Sequence, residues 1–453
     1  MVVQKFGGTS VADPDAVRRL IEIARTARTR DGRGPVLVVS AMSKVTDALL
    51  AIAAEAGAGK TDSALTHVEQ LRDRHLAMAA ALARRGDVAT LSPHINDQFD
   101  QLTAVVKALA VLREISVRTL DVIAAMGELL SSRIIASALL NAGLPGEWVD
   151  ARRVVVTDDQ HTKACPLMRE TTAALRATVL TLIEGGKVPV LGGFVGATAQ
   201  GHTTTLGRGG SDYSSAIVGA GIDAAEIQIW TDVDGMLTAD PRVIPESRLV
   251  PRLSFAEAAE LSYFGAKVLH PSTIHPAVER DIPVRILNSW KPEAAGTLIT
   301  ASPAPDGNPL TAMAAKKDLT VVDITSSRML MAYGFLRRVF EVFERFRTAV
   351  DVVTTSEVSV SVTVDDRRHL DAIVEALSEF GEVSIEQEMA LLCAVGDRLR
   401  NEPAIAARVI RVLEEVPLRM ISQAASRRNI TVILRQSDLP HAMHRLHDEF
   451  FAA

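Results

Sequence analysis

Only two cysteines, Cys165 and Cys393, occur among 453 residues, and they stand far apart without a metal-type partner pattern. That scarcity argues against a disulfide framework or a zinc site, and a reducing, cytoplasmic setting is the simplest expectation. No uninterrupted apolar run reaches the roughly 18 residues needed to cross a bilayer. The opening Met1-Val-Val-Gln-Lys-Phe6 has no charged stretch followed by a long apolar one, so no signal peptide is expected. Blocks of basic residues are missing as well, and a net charge of −6 gives no general attraction to nucleic acid or anionic lipid. Neither is expected as a partner.

What is present is ample apolar material, 47% of the residues, in a chain long enough for two or three domains. The first 300 residues alternate short apolar runs with longer amphipathic stretches, the pattern of a mostly parallel α/β sheet covered by helices. Val36–Ser40, Val188–Leu191 and Ile227–Trp230 read as buried strands, each running into a turn rich in Gly, Ser, Thr or Asp. Helices are expected from Asp13 to Ala27, where Asp13 can cap and Pro14 suits the first turn, and across Asp121–Ala142 and Ser211–Ala220. Ser302-Pro-Ala-Pro-Asp-Gly-Asn-Pro309 is rich in turn formers and reads as a linker. Beyond it, Leu319–Ile324, Val358–Val364, Ala390–Val395 and Ile430–Leu434 look like short strands. Between them Phe335, Leu336, Val339, Phe340, Phe343 and Phe346 recur at helical spacing, as do Ile405, Val409, Val412 and Leu413. Core packing accounts for these stripes. The repetition suggests two small ferredoxin-like α+β modules.

Three polar turns follow strands in the first part. Lys5-Phe-Gly-Gly-Thr-Ser10 pairs a lysine with Gly7 and Gly8, where backbone N–H groups can approach an anion and the helix that follows favours negative charge. It is not a P-loop sequence. Thr205-Leu-Gly-Arg-Gly-Gly-Ser-Asp-Tyr-Ser214 sets Arg208 among three glycines, and Ser211 and Asp212 at a helix start. A glycine turn with an ordinary cap explains the last two but not the arginine, which is suited to gripping a carboxylate. Trp230-Thr-Asp-Val-Asp-Gly235 leaves the third strand, and Asp240-Pro-Arg242 comes shortly after. Convergence of such turns is what a site in this architecture needs. Glu128 has Ile123, Met126, Leu129 and Leu130 around it, which leaves little room for a solvated face. Lys267, wedged between Ala266 and Val268, reads equally as a lysine snorkelling at a helix end.

Taken together, Lys5–Ser10, Gly207-Arg-Gly-Gly-Ser-Asp212, Thr231-Asp232 and Phe264-Gly-Ala-Lys-Val-Leu-His-Pro271 resemble the aspartate kinases, members of the amino-acid kinase superfamily. The match runs in order along the chain. Met329–Leu336 with Val350-Asp-Val-Val-Thr-Thr-Ser-Glu357 looks like the effector site of the lysine-sensitive monofunctional subclass. The resemblance implies a three-layer kinase domain over 1–300, a linker at 301–309, one ACT domain over 326–404, and a second from 310–325 with 405–453.

It also implies roles. Lys5 would lie against the transferring phosphate, with Gly7, Gly8 and Ser10 lining the phosphate loop and Asp212 orienting Lys5. Glu128 would bind the substrate ammonium group and Arg208 its α-carboxylate, aided by Ser40, Thr46, Phe194, Gly209, Gly210 and Ser211. Thr231, Asp232, Leu237, Arg242, Lys267 and Val268 would hold ATP. Relatives of this subclass often carry an aromatic where this chain has Leu237, so a stacking contact there would be lost. Mg²⁺ would ride on the ATP phosphates rather than on a protein cage. Met329, Gly334, Phe335, Leu336, Val350, Asp351, Thr355, Ser356 and Glu357 would meet an allosteric lysine, although Asp351 and Glu357 read equally as surface charges at strand ends. A homodimer through the ACT domains is implied, with further pairing to a tetramer open. Other kinases of the superfamily, a homoserine dehydrogenase fusion and a catalytically dead amino-acid sensor are the rival readings. The first lack this tandem tail, no dinucleotide fingerprint follows it, and the third predicts loss of Lys5, Glu128, Arg208, Asp212 or Lys267, all of which are present.

Overall fold

The computed structural model describes residues 1–82, 85–265, 269, 271–302, 308–326, 333–397, 399, 402–423 and 426–451. It forms two compact units, Met1–Met236 with Val268–Ser302, and Leu237–Lys267 with Pro303–Ala453.

In the first unit the sheet strands are β1 (Val2–Phe6), β2 (Val36–Val39), β3 (Gly146–Val149), β4 (Val188–Gly192), β5 (Glu226–Thr231), β6 (Val284–Asn288) and β7 (Thr297–Thr300). Their order is β3-β4-β2-β1-β5-β6-β7. All neighbours are parallel except β6 and β7. β1 and β2 are buried at every position, which is why β2 reads as an unbroken apolar run, while β1 buries Gln4 and Lys5 among its apolar residues. Five helices, α1 (Pro14–Asp31), α2 (Val45–Gly57), α3 (Thr61–Leu82), α4 (Arg85–Leu112) and α5 (Val117–Asn141), share a core with Phe6, Leu37, Val39, Val190 and Trp230. On the other face lies α6 (Gly210–Gly221), packed so closely that a Cβ at Gly219 would come 2.6 Å from Ile227 Cδ1. The result is a three-layer α/β unit.

Helix α1 begins as expected. Asp13 caps it by accepting from the Ala16 N–H at 2.8 Å, and Pro14 occupies the first turn. Helices α3 and α4 are additions that the sequence reading did not assign. Helix α5 is long and apolar enough to cross a membrane by length and composition, yet 83% of its most apolar window is buried. It is the central core helix of the unit.

The second unit carries β8 (Ala312–Thr325), β9 (Val353–Thr355), β10 (Ser359–Val364), β11 (Glu382–Val395), β12 (Leu418–Gln423) and β13 (Asn429–Arg435). They form an antiparallel sheet in the order β9-β10-β8-β11-β13-β12. Besides the helix Phe255–Tyr263, its helices are α7 (Phe335–Arg345), α8 (Leu370–Ser378), α9 (Pro403–Val412) and α10 (Leu439–Phe451). Two cores flank this sheet, one around Ile324, Phe335, Val339, Phe343, Val362 and Ile373, the other around Met313, Leu392, Val409, Val432 and Phe450.

These cores correct the expected module boundaries. β8 and β11 are long strands shared by both ferredoxin-like modules, and the β8–β11 register shifts between Lys316 and Val321. The Val322 and Ile324 side chains therefore belong to the module of Phe343, and Ala390 and Leu392 to that of Phe450. The expected break near residue 300 falls between Ser302 and Pro303, but the first unit is not the continuous 1–300 that was expected. Ala239 and Ile244 are buried in the second core, so Leu237–Lys267 folds with the tail. Residues 303–307 of the expected linker lie outside the described residues.

Phe343 is 2% exposed in the first of these cores. Phe343→Ala is expected to cost about 3–5 kcal/mol, measured as a lower urea midpoint for the second unit. A change below 1 kcal/mol would contradict the core assignment.

Candidate active site

Parallel strands end together, so the turns after β1, β2, β4 and β5 meet at one edge of the sheet. Backbone hydrogen bonds tie them to one another. The Gly7 N–H donates to the Trp230 carbonyl at 3.1 Å, Ser40 to Phe6 at 3.0 Å, Ser43 to Gly8 at 3.1 Å, and Gly193 to Val39 at 2.8 Å. At Gly8 a Cβ would come 3.2 Å from the Ala41 carbonyl oxygen, so glycine eases the close approach of these two turns. Gly209 caps α6 with φ +70°, the left-handed region that glycine enters without steric cost.

Two cavities open on this edge. One, of about 260 Å³, is lined by Lys5, Ser40, Thr46, Glu128, Phe194, Gly207 and Gly209–Asp212. The other, of about 510 Å³, is lined by Lys5, Gly7–Thr9, Ser40–Lys44, Thr46, Asp47, Glu128, Asp212, Thr231 and Asp232. Lys5, Ser40, Thr46, Glu128 and Asp212 belong to both and form the partition. Because side chains alternate along β1, Lys5 points away from the Phe6 core toward the face of α6. There its Nζ meets Asp212 Oδ1 at 2.7 Å, with both side chains less than one-fifth exposed. A larger cavity of about 840 Å³ lies between α1 and the sheet, but its ion pairs Arg30–Asp31 and Arg285–Glu226 close on themselves, and no glycine turn enters it.

Glu128 is the unusual carboxyl group of the site. It is 4% exposed, and loss of water raises its pKa from 4.5 to about 8, partly offset by a hydrogen bond from the Ala41 backbone. Its Oε2 has no hydrogen-bond partner among the described residues. A buried acceptor of this kind, at the wall of a cavity, is suited to a cationic ligand group. Phe194 adopts φ +64° and donates its N–H to Ser214 Oγ at 2.8 Å, which fixes its ring against Gly210.

The cavities thus gather Lys5, Gly7, Gly8, Ser40, Thr46, Glu128, Phe194, Gly209, Gly210, Ser211, Asp212, Thr231 and Asp232. Four expected residues among those described do not line these cavities. Ser10 is 1% exposed and bonds Ser289 Oγ at 2.8 Å, so it ties the strand ends instead of lining the loop. Arg208 is exposed, because glycines on both sides give its side chain nothing to pack against. Leu237 and Arg242 fall in the second unit, where Leu237 bridges Leu249 and the Arg242 guanidinium holds Asp240 at 2.7 Å. Lys267 and Val268 lie outside the described residues. Lys44 went unnoticed in the sequence. It is an exposed cation at the cavity, with φ +66°, and a lysine in the turn after β2 was the available signal.

Among the effector candidates, Phe335 is core, 2% exposed and edge-on to Phe380 at 5.9 Å. Gly334 caps α7 in the left-handed region, Leu336 is partly exposed, and Val350 packs against that same core. Thr355, Ser356 and Glu357 are exposed, and Met329 lies outside the described residues. Asp351 is no ordinary surface charge. Its side chain is 6% exposed and both oxygens lie 2.9 Å from Lys316 Nζ, which also reaches Asp365 at 2.7 Å. Burial raises the Asp351 pKa against the pull of Lys316.

Comparison with known proteins fits this architecture. The amino acid kinase family model matches residues 1–288, and an ACT domain model matches 392–450. The chain is 36% identical to aspartokinase 3 of the Arabidopsis thaliana chloroplast, over 99% of this chain and 81% of that protein. It is 34% identical to lysine-sensitive aspartokinase 3 of Escherichia coli, over 100% and 99%. The crystal structure of E. coli aspartokinase III with aspartate and ADP aligns over the full length of both chains with a TM-score of 0.82 at 32% identity. The lysine and aspartate complex of that protein gives 0.85, over 100% of this chain and 99% of that one. The chain belongs to the amino acid kinase family. Within it, this is an aspartate kinase with ACT domains.

Glu128 supplies a stability test. Its folded-state pKa is raised, so folding favours the protonated form, and the penalty grows as pH climbs from 4.5 to about 8. Glu128→Gln without ligands is expected to melt like the parent near pH 4 and several degrees higher above pH 8. A difference that does not vary with pH would contradict the burial argument.

Proposed function

We propose that the enzyme transfers the γ-phosphoryl of ATP to the β-carboxylate of L-aspartate, giving 4-phospho-L-aspartate and ADP. This would be the step that opens lysine, threonine and methionine biosynthesis, under feedback by lysine. The observation that carries the reading is the pair of cavities divided by the Lys5–Asp212 ion pair. One chamber suits an amino acid and the other a polyphosphate.

Both reactants are anionic at the point of reaction, so the protein must offset their repulsion. Phosphoryl transfer needs in-line placement and cations on the equatorial oxygens more than covalent help. Lys5 lies at the partition with its Nζ fixed by Asp212, and the Gly7–Gly8 turn, whose Gly7 N–H is taken by the Trp230 carbonyl, leaves the polyphosphate chamber free of side chains at these two positions. Glu128 takes the aspartate ammonium group, which compensates its buried charge. Arg208 reaches for the α-carboxylate beside Ser211, with Ser40, Thr46 and Phe194 completing the chamber. Thr231 and Asp232 flank the nucleotide, joined by Lys44. Mg²⁺ bound to the ATP phosphates would add positive charge there. No general base is required, because the attacking carboxylate is already ionised at neutral pH.

In the tail, Asp351 is the acidic group best placed to meet a lysine effector, and Lys316 is the cation the effector would contend with. The ACT domains would pair between two chains to make a homodimer on the family pattern, with a tetramer as a further step. Feedback requires lysine to bind a low-activity state better than an active one.

Lys5→Ala is expected to lower kcat by about 10²–10³-fold, with a much smaller change in the KM for ATP. Equal losses in both would argue against a transition-state role. Titration with lysine is expected to inhibit at saturating substrates, and a flat response would remove the regulatory part alone.

A further inference from the structure

Helix α5 carries a second buried carboxylate, Asp121, that the reaction does not use directly. It lies seven residues before Glu128, two turns away and on nearly the same face. Asp121 is 0% exposed, yet both oxygens are engaged. Thr205 Oγ1 donates to Oδ1 at 2.5 Å, His161 Nδ1 lies 2.6 Å from Oδ2, and the Thr162 N–H lies 3.0 Å and 3.1 Å from the two oxygens. A wholly desolvated carboxylate is tolerated only when matched in this way.

The partners show what the group holds. Thr205 ends the short strand Thr203–Thr205 that leads to Arg208. Thr162 has φ +70°, uncommon for any side-chain residue and strained for a β-branched one, and its N–H is held by Asp121. The Thr162 carbonyl backs Gly207, where a Cβ would lie 3.2 Å away, and the Ala164 N–H donates to the Thr205 carbonyl at 2.9 Å. One carboxylate therefore fastens both the strand before Arg208 and the loop behind it, and does so from the helix that carries Glu128.

We infer that Asp121 is a positioning residue for the amino-acid substrate: it fixes the backbone bearing Arg208 at a set distance from Glu128. This rests on the reading above that these two residues hold the α-carboxylate and the ammonium group. Asp121 touches no substrate. It selects the spacing between the two charges of an α-amino acid head, and it leaves the nucleotide chamber unaffected.

Steady-state kinetics of Asp121→Asn, Thr205→Val and Arg208→Ala in the full-length enzyme test this. Asp121→Asn is expected to raise the KM for aspartate about tenfold and Thr205→Val about threefold, from weakened charge-assisted hydrogen bonds. The KM for ATP stays within about twofold in both, since the damage is confined to one chamber. Equal rises for both substrates, a fall in kcat alone, or parental KM values would overturn the inference. Should the Asn variant fail to fold, Thr205→Val decides by the same split. Arg208→Ala separates the two levels. If it leaves the KM for aspartate unmoved, the substrate reading fails, whereas a rise there with parental Asp121→Asn and Thr205→Val sinks this inference only.

Discussion

A lysine ammonium held 2.7 Å from an aspartate, at the wall shared by two cavities, is the contact on which the rest of this site depends. Its two halves come from elements far apart in sequence, the first strand and the start of α6. They meet because β1 is central in a parallel sheet and α6 covers the face toward which Lys5 points. An ion pair that is mostly out of water is costly to assemble and more costly to break on one side. Glycines around it let the turns after β1 and β2 close on each other and keep side chains from filling the space. The sheet thus delivers a fixed cation to a gap that stays open for ligands.

Charge complementarity organises the surroundings. Glu128 is left with an unpartnered oxygen in an apolar wall, a state that favours its neutral form until a cation arrives. Asp121, on the same helix, is equally buried but fully matched by internal donors. The contrast marks different tasks. A carboxylate satisfied within the chain builds structure, and one left wanting is disposed to bind. Asp351 in the tail has an internal cation of its own, so an incoming ammonium group there would compete with Lys316.

Much of this was legible in the sequence because the relevant signals are local. Buried parallel strands read as apolar runs, Asp13 and Pro14 announce a helix, and glycine-flanked turns after strands mark a ligand edge. Other features could not be read, since they depend on packing between distant segments. Ser10 sits in a glycine-lysine motif, yet it turns to Ser289 across the strand ends. Phe335 is the opposite case: its helical stripe reads as core packing, and it is held by the core of its own module although an effector-like motif also claims it. The shared strands β8 and β11 look like short strands because only part of each is continuously apolar, and the polar Lys316–Asp318 stretch hides the remainder of β8. The second-unit membership of Ala239 and Ile244 leaves no local trace at all.

Trapping the product with hydroxylamine probes the chemistry most directly, because an acyl phosphate yields a hydroxamate whereas a phosphate ester does not. Incubating the purified enzyme with ATP, Mg²⁺, L-aspartate and hydroxylamine is expected to give aspartyl hydroxamate in step with ADP. ADP release without hydroxamate, or hydroxamate from another amino acid in preference to aspartate, would contradict carboxylate phosphorylation in the chamber of Glu128 and Lys5.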